Sequence, residues 1–411
     1  VRQAFETYRV RIVLTAHPTQ FYPGEVLGII TDLSESISAN NLPRIKELLE
    51  QLGQTPFFKK TKPTPFDEAV SLTWYLENII YYAVPAIYEE IYNSLGDDAE
   101  EIIGQSSLMK LGFWPGGDRD GNPGVDAATT LAVAERLRGA LFRCYFKEVR
   151  ELRRKLTFVD VQPIIMKIED ALRDAGYYSK EELPSISRAE LIQMLRDIES
   201  LLDTKYNGLY SRDVRAFRHK LNVFKYHFSA IDIRQDSRKI GETFDRVREQ
   251  YPQYFPADFD SLSEEEQIAA LFSIKGSIGS SLFQDDIVKD TIESFVVMRK
   301  IQESNGEEGA YRYIISNCRS AKNVAQVYAL ANLTGWVGDK FLDIIPLFET
   351  IDDLDNARES MNKLYNNKSY RAHLKFRHDK QVVMLGFSDG TKDGGYLTAN
   401  WGIFKAKERM T

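Results

Sequence analysis

Phe228-Ser229-Ala230-Ile231-Asp232-Ile233, ending on Arg234, decides the fold: it is an apolar, β-branched run of strand length that stops at a guanidinium. Similar short runs recur at Arg9 to Thr15, Tyr311 to Ser316, Ile344 to Phe348 and Val382 to Phe387. Runs of this kind, separated by helices, suit parallel strands buried on both faces. The intervening segments carry apolar residues at helical spacing. Examples are Pro65 to Leu95 with a kink expected at Pro85, Asp126 to Leu156 with Asp126 as N-cap, Ser187 to Leu202, and Asp285 to Glu303. A barrel-like α/β architecture with large helical insertions follows. No internal repeat or flexible linker divides the chain, so residues 1–411 are expected to form a single unit.

Bulk properties narrow the function. A chain of 411 residues can bury a sizeable core. Its two cysteines, Cys144 and Cys318, show no CxxC spacing, which fits a reducing cytoplasm better than a disulfide framework. The net charge of -7 disfavours broad binding to nucleic acid or anionic membrane, so an anionic substrate needs a local positive site. No apolar run reaches the roughly 20 residues of a membrane-spanning helix. Opening on Val1 and stopping at Thr411 after a charged helical pattern, the sequence has the look of trimmed ends.

Chemistry gathers where the apolar runs end. Val13-Leu14-Thr15 leads into Ala16-His17-Pro18-Thr19, Ile231-Asp232-Ile233 ends on Arg234, Ile345 to Phe348 ends on Glu349, and Met384 to Phe387 leads to Ser388-Asp389. In parallel barrels the strand C-termini open on one face, where functional groups collect. Glu349 and Asp389 are therefore expected metal ligands, since magnesium takes one or two carboxylates and keeps several waters. The competing reading makes each a helix cap or an ion-pair partner, as Asp389 for Lys392. Arg234 suits a phosphate or carboxylate, against an ion pair with Asp232 or Asp236. His17 suits proton transfer near neutral pH, against a satisfied core histidine.

Gly116-Gly117-Asp118-Arg119-Asp120-Gly121-Asn122-Pro123 is the densest polar segment. An EF-hand fails here, because its sixth position is Pro123 and its twelfth Thr129. What remains is a tight loop, with Arg119 between two acids, that would brace a site from behind through Asp118, Arg119, Asp120 and Asn122. Lys59-Lys60-Thr61-Lys62 reads as a solvated charge run, and Tyr81, Tyr82 and Tyr88 as core packing.

In order, Val13 to Gln20, Gly116 to Pro123, Ile231 to Gln235 and Gly386 to Asp393 resemble the motifs of the phosphoenolpyruvate carboxylases. Thr61 to Pro65, Tyr313 to Ser316 and Pro346 to Thr350 add to the resemblance, which spans essentially the whole chain. It implies a lyase that joins bicarbonate to phosphoenolpyruvate, giving oxaloacetate for the tricarboxylic acid cycle and inorganic phosphate. In that mechanism bicarbonate attacks phosphorus, leaving carboxyphosphate and the enolate of pyruvate. By motif, Glu349 and Asp389 hold Mg2+ or Mn2+, Arg234 binds substrate, and His17, Arg234 and Lys392 are catalytic. A cytoplasmic homotetramer is implied, with no nucleic-acid or membrane partner.

The implied fold is mainly α with α/β barrel elements, an incomplete (β/α)8-type barrel. Strands one to six would lie near 9–15, 110–115, 228–234, 311–316, 344–349 and 382–388, with helical insertions near 24–108, 125–222 and 236–310. Phe21-Tyr22-Pro23-Gly24 stands where many members have an arginine pair, which departs from sugar-phosphate activation of that type. A Gly/Arg-rich loop expected after Asp389 has no counterpart before Thr411, so the 411 residues are expected to be inactive alone. Two other readings stay open: another metal-dependent lyase of enolpyruvate or 2-oxo acids, and a non-catalytic helical interaction module.

Overall fold

Each strand pairs in parallel with the next one along the chain. In the computed structural model, which describes residues 10–15, 24–57, 63–96, 99, 108–177, 185–336 and 341–410, the strands are β1 (Val10–Leu14), β2 (Met109–Phe113), β3 (Ala230–Asp236), β4 (Arg312–Ser316), β5 (Asp343–Phe348) and β6 (Met384–Leu385). They form one six-stranded sheet in the order β1-β2-β3-β4-β5-β6. Because the order never reverses, every crossover steps the same way and the sheet curls into a half barrel rather than an open doubly wound sheet. Five of these strands run five to seven residues, whereas β6 pairs over two residues only.

Helices fill the crossovers. Before β2 come α1 (Gly24–Ser38), α2 (Leu42–Gln54), α3 (Pro65–Tyr75) and α4 (Tyr81–Leu95). Between β2 and β3 lie α5 (Ala127–Lys155), α6 (Gln162–Tyr177), α7 (Arg188–Lys205) and α8 (Ser211–Phe224); α9 (Ser237–Gln250), α10 (Glu264–Ser273) and α11 (Asp286–Asn305) precede β4. The last are α12 (Ala321–Leu333), α13 (Ile351–Asn366), α14 (Lys368–Phe376), α15 (Phe387–Gly394) and α16 (Tyr396–Met410). None of the described helices is long and apolar enough to cross a membrane.

Local chemistry explains the boundaries that the sequence predicts. Asp126 accepts from the Thr129 N–H at 2.7 Å and starts α5, Ser187 closes a capping box with Glu190 at the start of α7, and Asp285 accepts from the Ile287 N–H at 2.8 Å ahead of α11. The long helix expected from Pro65 to Leu95 runs over those residues, with a π turn, Leu76–Ile80, inserted between α3 and α4 and Pro85 inside α4. Tyr81 and Tyr88 are core residues as expected, whereas Tyr82 is 54% exposed, because it is one step off the buried stripe.

The pleat sorts the sheet into two faces. Leu111, Phe113, Ile231, Ile233, Tyr313, Ile315, Ile344 and Phe348 join the main core beneath the helices. The opposite face carries Arg11, Trp114, Asp232, Arg234 and Arg312 on one side, and a separate apolar cluster of Ile314, Ile345 and Leu347 with Met384 on the other.

Candidate active site at the strand ends

Asp232, Arg234 and Asp236 alternate along β3 and so share one face of the sheet. Asp232 is buried and is met by Arg11 from β1 at 2.5 Å, Arg312 from β4 at 3.3 Å and the Trp114 indole N–H at 3.1 Å. Arg11 reaches it by crossing Gly112, where a Cβ would stand 2.8 Å from the guanidinium. Asp236 binds Arg238 and accepts from the Asn317 amide at 3.0 Å. Burial alone would raise its pKa, but Arg238 and Asn317 hold the carboxyl below the usual range. Neither acid is therefore the partner of Arg234, contrary to the ion pair weighed from their proximity in sequence.

Arg234 is gripped from another element. Its guanidinium donates to Asp118 at 2.9 Å, lies 3.7 Å from Asp120 and stacks over Trp114 at 4.2 Å. The loop from Gly116 extends the β2 edge: the Arg234 N–H donates to the Gly117 carbonyl at 2.9 Å, and the Arg119 N–H to the Arg234 carbonyl at 3.1 Å. Only glycine permits this approach, since a Cβ on Gly117 would sit 2.2 Å from the Asp232 carbonyl oxygen. Gly116, at φ +77°, is backed by Val133, and its carbonyl accepts from the Thr130 hydroxyl of α5 at 2.6 Å. Burial pushes the Asp118 carboxyl up in spite of Arg234.

Arg119 lies buried under the loop and pairs with Asp290 of α11, not with the two acids flanking it in sequence. Asp290 also accepts from the Ala127 N–H at 2.9 Å, so one carboxylate ties the loop to two helices. Asp118 and Asp120 thus face Arg234 and Arg119 faces Asp290, while the Asn122 side chain accepts from the Gly124 N–H at 3.1 Å.

Glu349 and Asp389 follow the neighbouring strands β5 and β6. Glu349 is 8% exposed and accepts from the Asn317 N–H at 3.2 Å. Its carboxyl is raised above the ordinary range by burial, and further by the negative fields of Asp389 and Asp120, with the Asn317 N–H and Arg234 opposing. The four charged groups thus share one rim of the sheet. Gly386 allows β6 to close on β5, for a Cβ there would lie 3.1 Å from the Glu349 Cα. Asp389 is half exposed on the first turn of α15 and pairs with the more exposed Lys392 at 2.9 Å. Among the described residues no group of three or more His, Cys, Asp or Glu side chains forms a metal cage. His17 and Lys59 to Lys62 lie outside the described residues.

Trp114, Asn317 and Asp290 are contributors that the sequence reading missed. For Trp114 the signal was present, as it continues the alternation of β2 onto the face of Arg234. Asn317 and Asp290 act across long sequence separations and leave no local pattern.

Residues 1–189 and 166–411 match the phosphoenolpyruvate carboxylase family, together covering the chain from end to end. The chain belongs to the phosphoenolpyruvate carboxylase family. Among curated relatives, the phosphoenolpyruvate carboxylase of Gloeobacter violaceus is 25% identical over 479 aligned residues, with 100% of this chain and 51% of the relative covered. That of Xanthomonas campestris pv. campestris is 28% identical, covering 98% and 49%, and that of Vibrio vulnificus is 26% identical, covering 99% and 50%. The chain spans about half the length of the family members it matches.

Proposed function

We propose that this chain supplies the metal-binding and phosphate-binding rim of a carboxylase that converts phosphoenolpyruvate and bicarbonate to oxaloacetate and inorganic phosphate. The observation that carries the reading is the shared rim of Arg234, Glu349 and Asp389 toward the C-terminal ends of β3, β5 and β6, with the family membership behind it. Arg234 has a buried Nε without a hydrogen-bond partner, a donor suited to a substrate oxygen. Glu349, pushed up by burial and by Asp389, sits where a cation relieves the repulsion. Two carboxylates with room for water and substrate oxygens fit Mg2+ or Mn2+, which would supply Lewis-acid stabilisation of negative charge developing on a substrate oxygen.

The chain's own residues have distinct tasks in this reading. Asp118, Asp120 and Trp114 fix the plane of the Arg234 guanidinium, so that binding the phosphoryl group needs little reorganisation. Ile314, Ile345, Leu347 and Met384 form an apolar floor that excludes water, which would protonate the enolate and divert it to pyruvate. His17 is assigned the proton-handling role and Lys392 a charge-balancing role beside Asp389. A cytoplasmic homotetramer is the proposed setting.

Half of the relatives' length is matched, so the 411 residues are proposed to lack turnover by themselves. Release of phosphate from phosphoenolpyruvate with and without bicarbonate tests this directly. Robust bicarbonate-dependent turnover by the 411 residues would overturn the inactivity, and turnover independent of bicarbonate would favour another lyase. Mn2+ binding followed by electron paramagnetic resonance is expected to be lost in Asp389→Asn; retention of full affinity would remove Asp389 from the site.

A further inference from the structure

Away from the rim, one face of α5 and Glu169 of α6 border an open surface cleft of about 540 Å³, whose cations Lys147, Arg150, Arg153 and Arg154 are exposed. Its lining includes Arg143, Lys147, Arg150, Arg153 and Arg154, against only two carboxylates, Glu151 and Glu169. Positions 143, 147, 150 and 154 are spaced by four, three and four residues, which places them on one face of α5. In a chain of net charge -7 this is a local excess of positive charge.

The cations are incompletely neutralised. Glu169 is buried and serves both Arg153, at 2.6 Å, and Arg150, at 3.9 Å. Arg143 turns toward Glu77, at 3.4 Å. Lys147 and Arg154 have no ion-pair partner among the described residues. Glu169 thus anchors two arginines without cancelling the cluster, and the two free cations are the ones left to meet a ligand.

We propose that this cleft binds a compact multivalent anion, one that carries two or more phosphate or carboxylate groups, through Lys147, Arg150 and Arg154. Its volume falls within the range of small-molecule sites. Guanidinium forks match clustered anionic oxygens, and a single carboxylate shared by two arginines leaves donors available for them. An extended polyanion is disfavoured, because the net negative charge of the chain repels it outside this patch. Lys147 lies roughly 25 Å along α5 from Thr130, at a rise of about 1.5 Å per residue, so the cleft is separate from the rim held by the Gly116 loop. The same helix joins the two.

Calorimetric titration of the 411-residue chain with pyrophosphate and with citrate at near-physiological salt tests the site and separates phosphate from carboxylate ligands. Binding of one equivalent is expected for at least one probe. Lys147→Gln combined with Arg154→Gln is expected to weaken it by at least about tenfold, while Arg234→Gln leaves it unchanged. Lys147→Glu alone gives an independent reading, with thermal melting of each variant confirming the fold. The proposal is overturned if neither probe binds, or if the affinity survives in the Lys147 and Arg154 variants. Loss in Arg234→Gln instead would move the anion to the rim, supporting the reading of that site while rejecting this one. Tighter binding of an acidic peptide or of anionic vesicles than of either small anion would also reject it.

Discussion

Replacing Glu349 by Gln should make the protein more stable and deprive it of metal. The ionised Glu349 is held at a rim where burial and the charge of Asp389 oppose it, so its folded-state pKa lies above its unfolded value near 4.5. A carboxylate shifted in that direction opposes folding at neutral pH. Glutamine keeps an oxygen for the Asn317 N–H and removes the charge. Relief of such functional strain commonly yields about 0.5–2 kcal/mol, the gain expected at pH 7 without metal. The advantage is fully present above the folded-state pKa and fades as pH falls toward the unfolded value, because the parent is then protonated in both states. With Mn2+ at a hundredfold excess over its Kd, the parent gains about 2.7 kcal/mol and the variant nothing, so the order of stability reverses. Urea unfolding at several pH values, with and without Mn2+, measures both effects. A variant less stable than the parent in metal-free buffer at pH 7, or one stabilised by Mn2+ as much as the parent, would refute the reasoning.

Gly117→Ala should destabilise by about 2–3 kcal/mol, since its Cβ would stand 2.2 Å from the Asp232 carbonyl and the loop must leave β3 to relieve the clash; a urea midpoint within error of the parent would contradict that packing. Asp126→Ala should cost about 1 kcal/mol through loss of the cap on α5, read from the same unfolding curves. At the opposite end of the sheet Glu308 pairs with Lys225 and with Lys110, at 3.2 Å; burial alone would raise its pKa, but the two lysines bring it down to about 2. A carboxyl depressed in this way contributes stability that is complete above its ordinary value near 4.5 and is lost as pH falls through about 2. Glu308→Gln should therefore cost about 3 kcal/mol at pH 7, and the difference from the parent should close across that acid window; a difference independent of pH would show that the charge of Glu308 is not its source.

Much of the frame was legible in the sequence because it is written in short-range chemistry. Five apolar runs overlap β1, β3, β4, β5 and β6, and the helices expected to begin at Asp126, Ser187 and Asp285 have those residues as their N-caps. The π turn between α3 and α4 was not legible, because it depends on how neighbouring helices seat and has no strong residue signature. Candidate site residues were found by the rule that strand ends carry function. Their partners were not.

What the sequence determined by itself was the class of fold, the strand order and the family, since β-branched runs, capping residues and ordered motifs are local features that survive without knowledge of contacts. Tertiary structure alone decided that Arg234 pairs with Asp118, 116 positions away, while Asp232, two positions away, is taken by Arg11 and Arg312. Strand alternation and register place groups distant in sequence side by side, and charge pairing follows those distances through space.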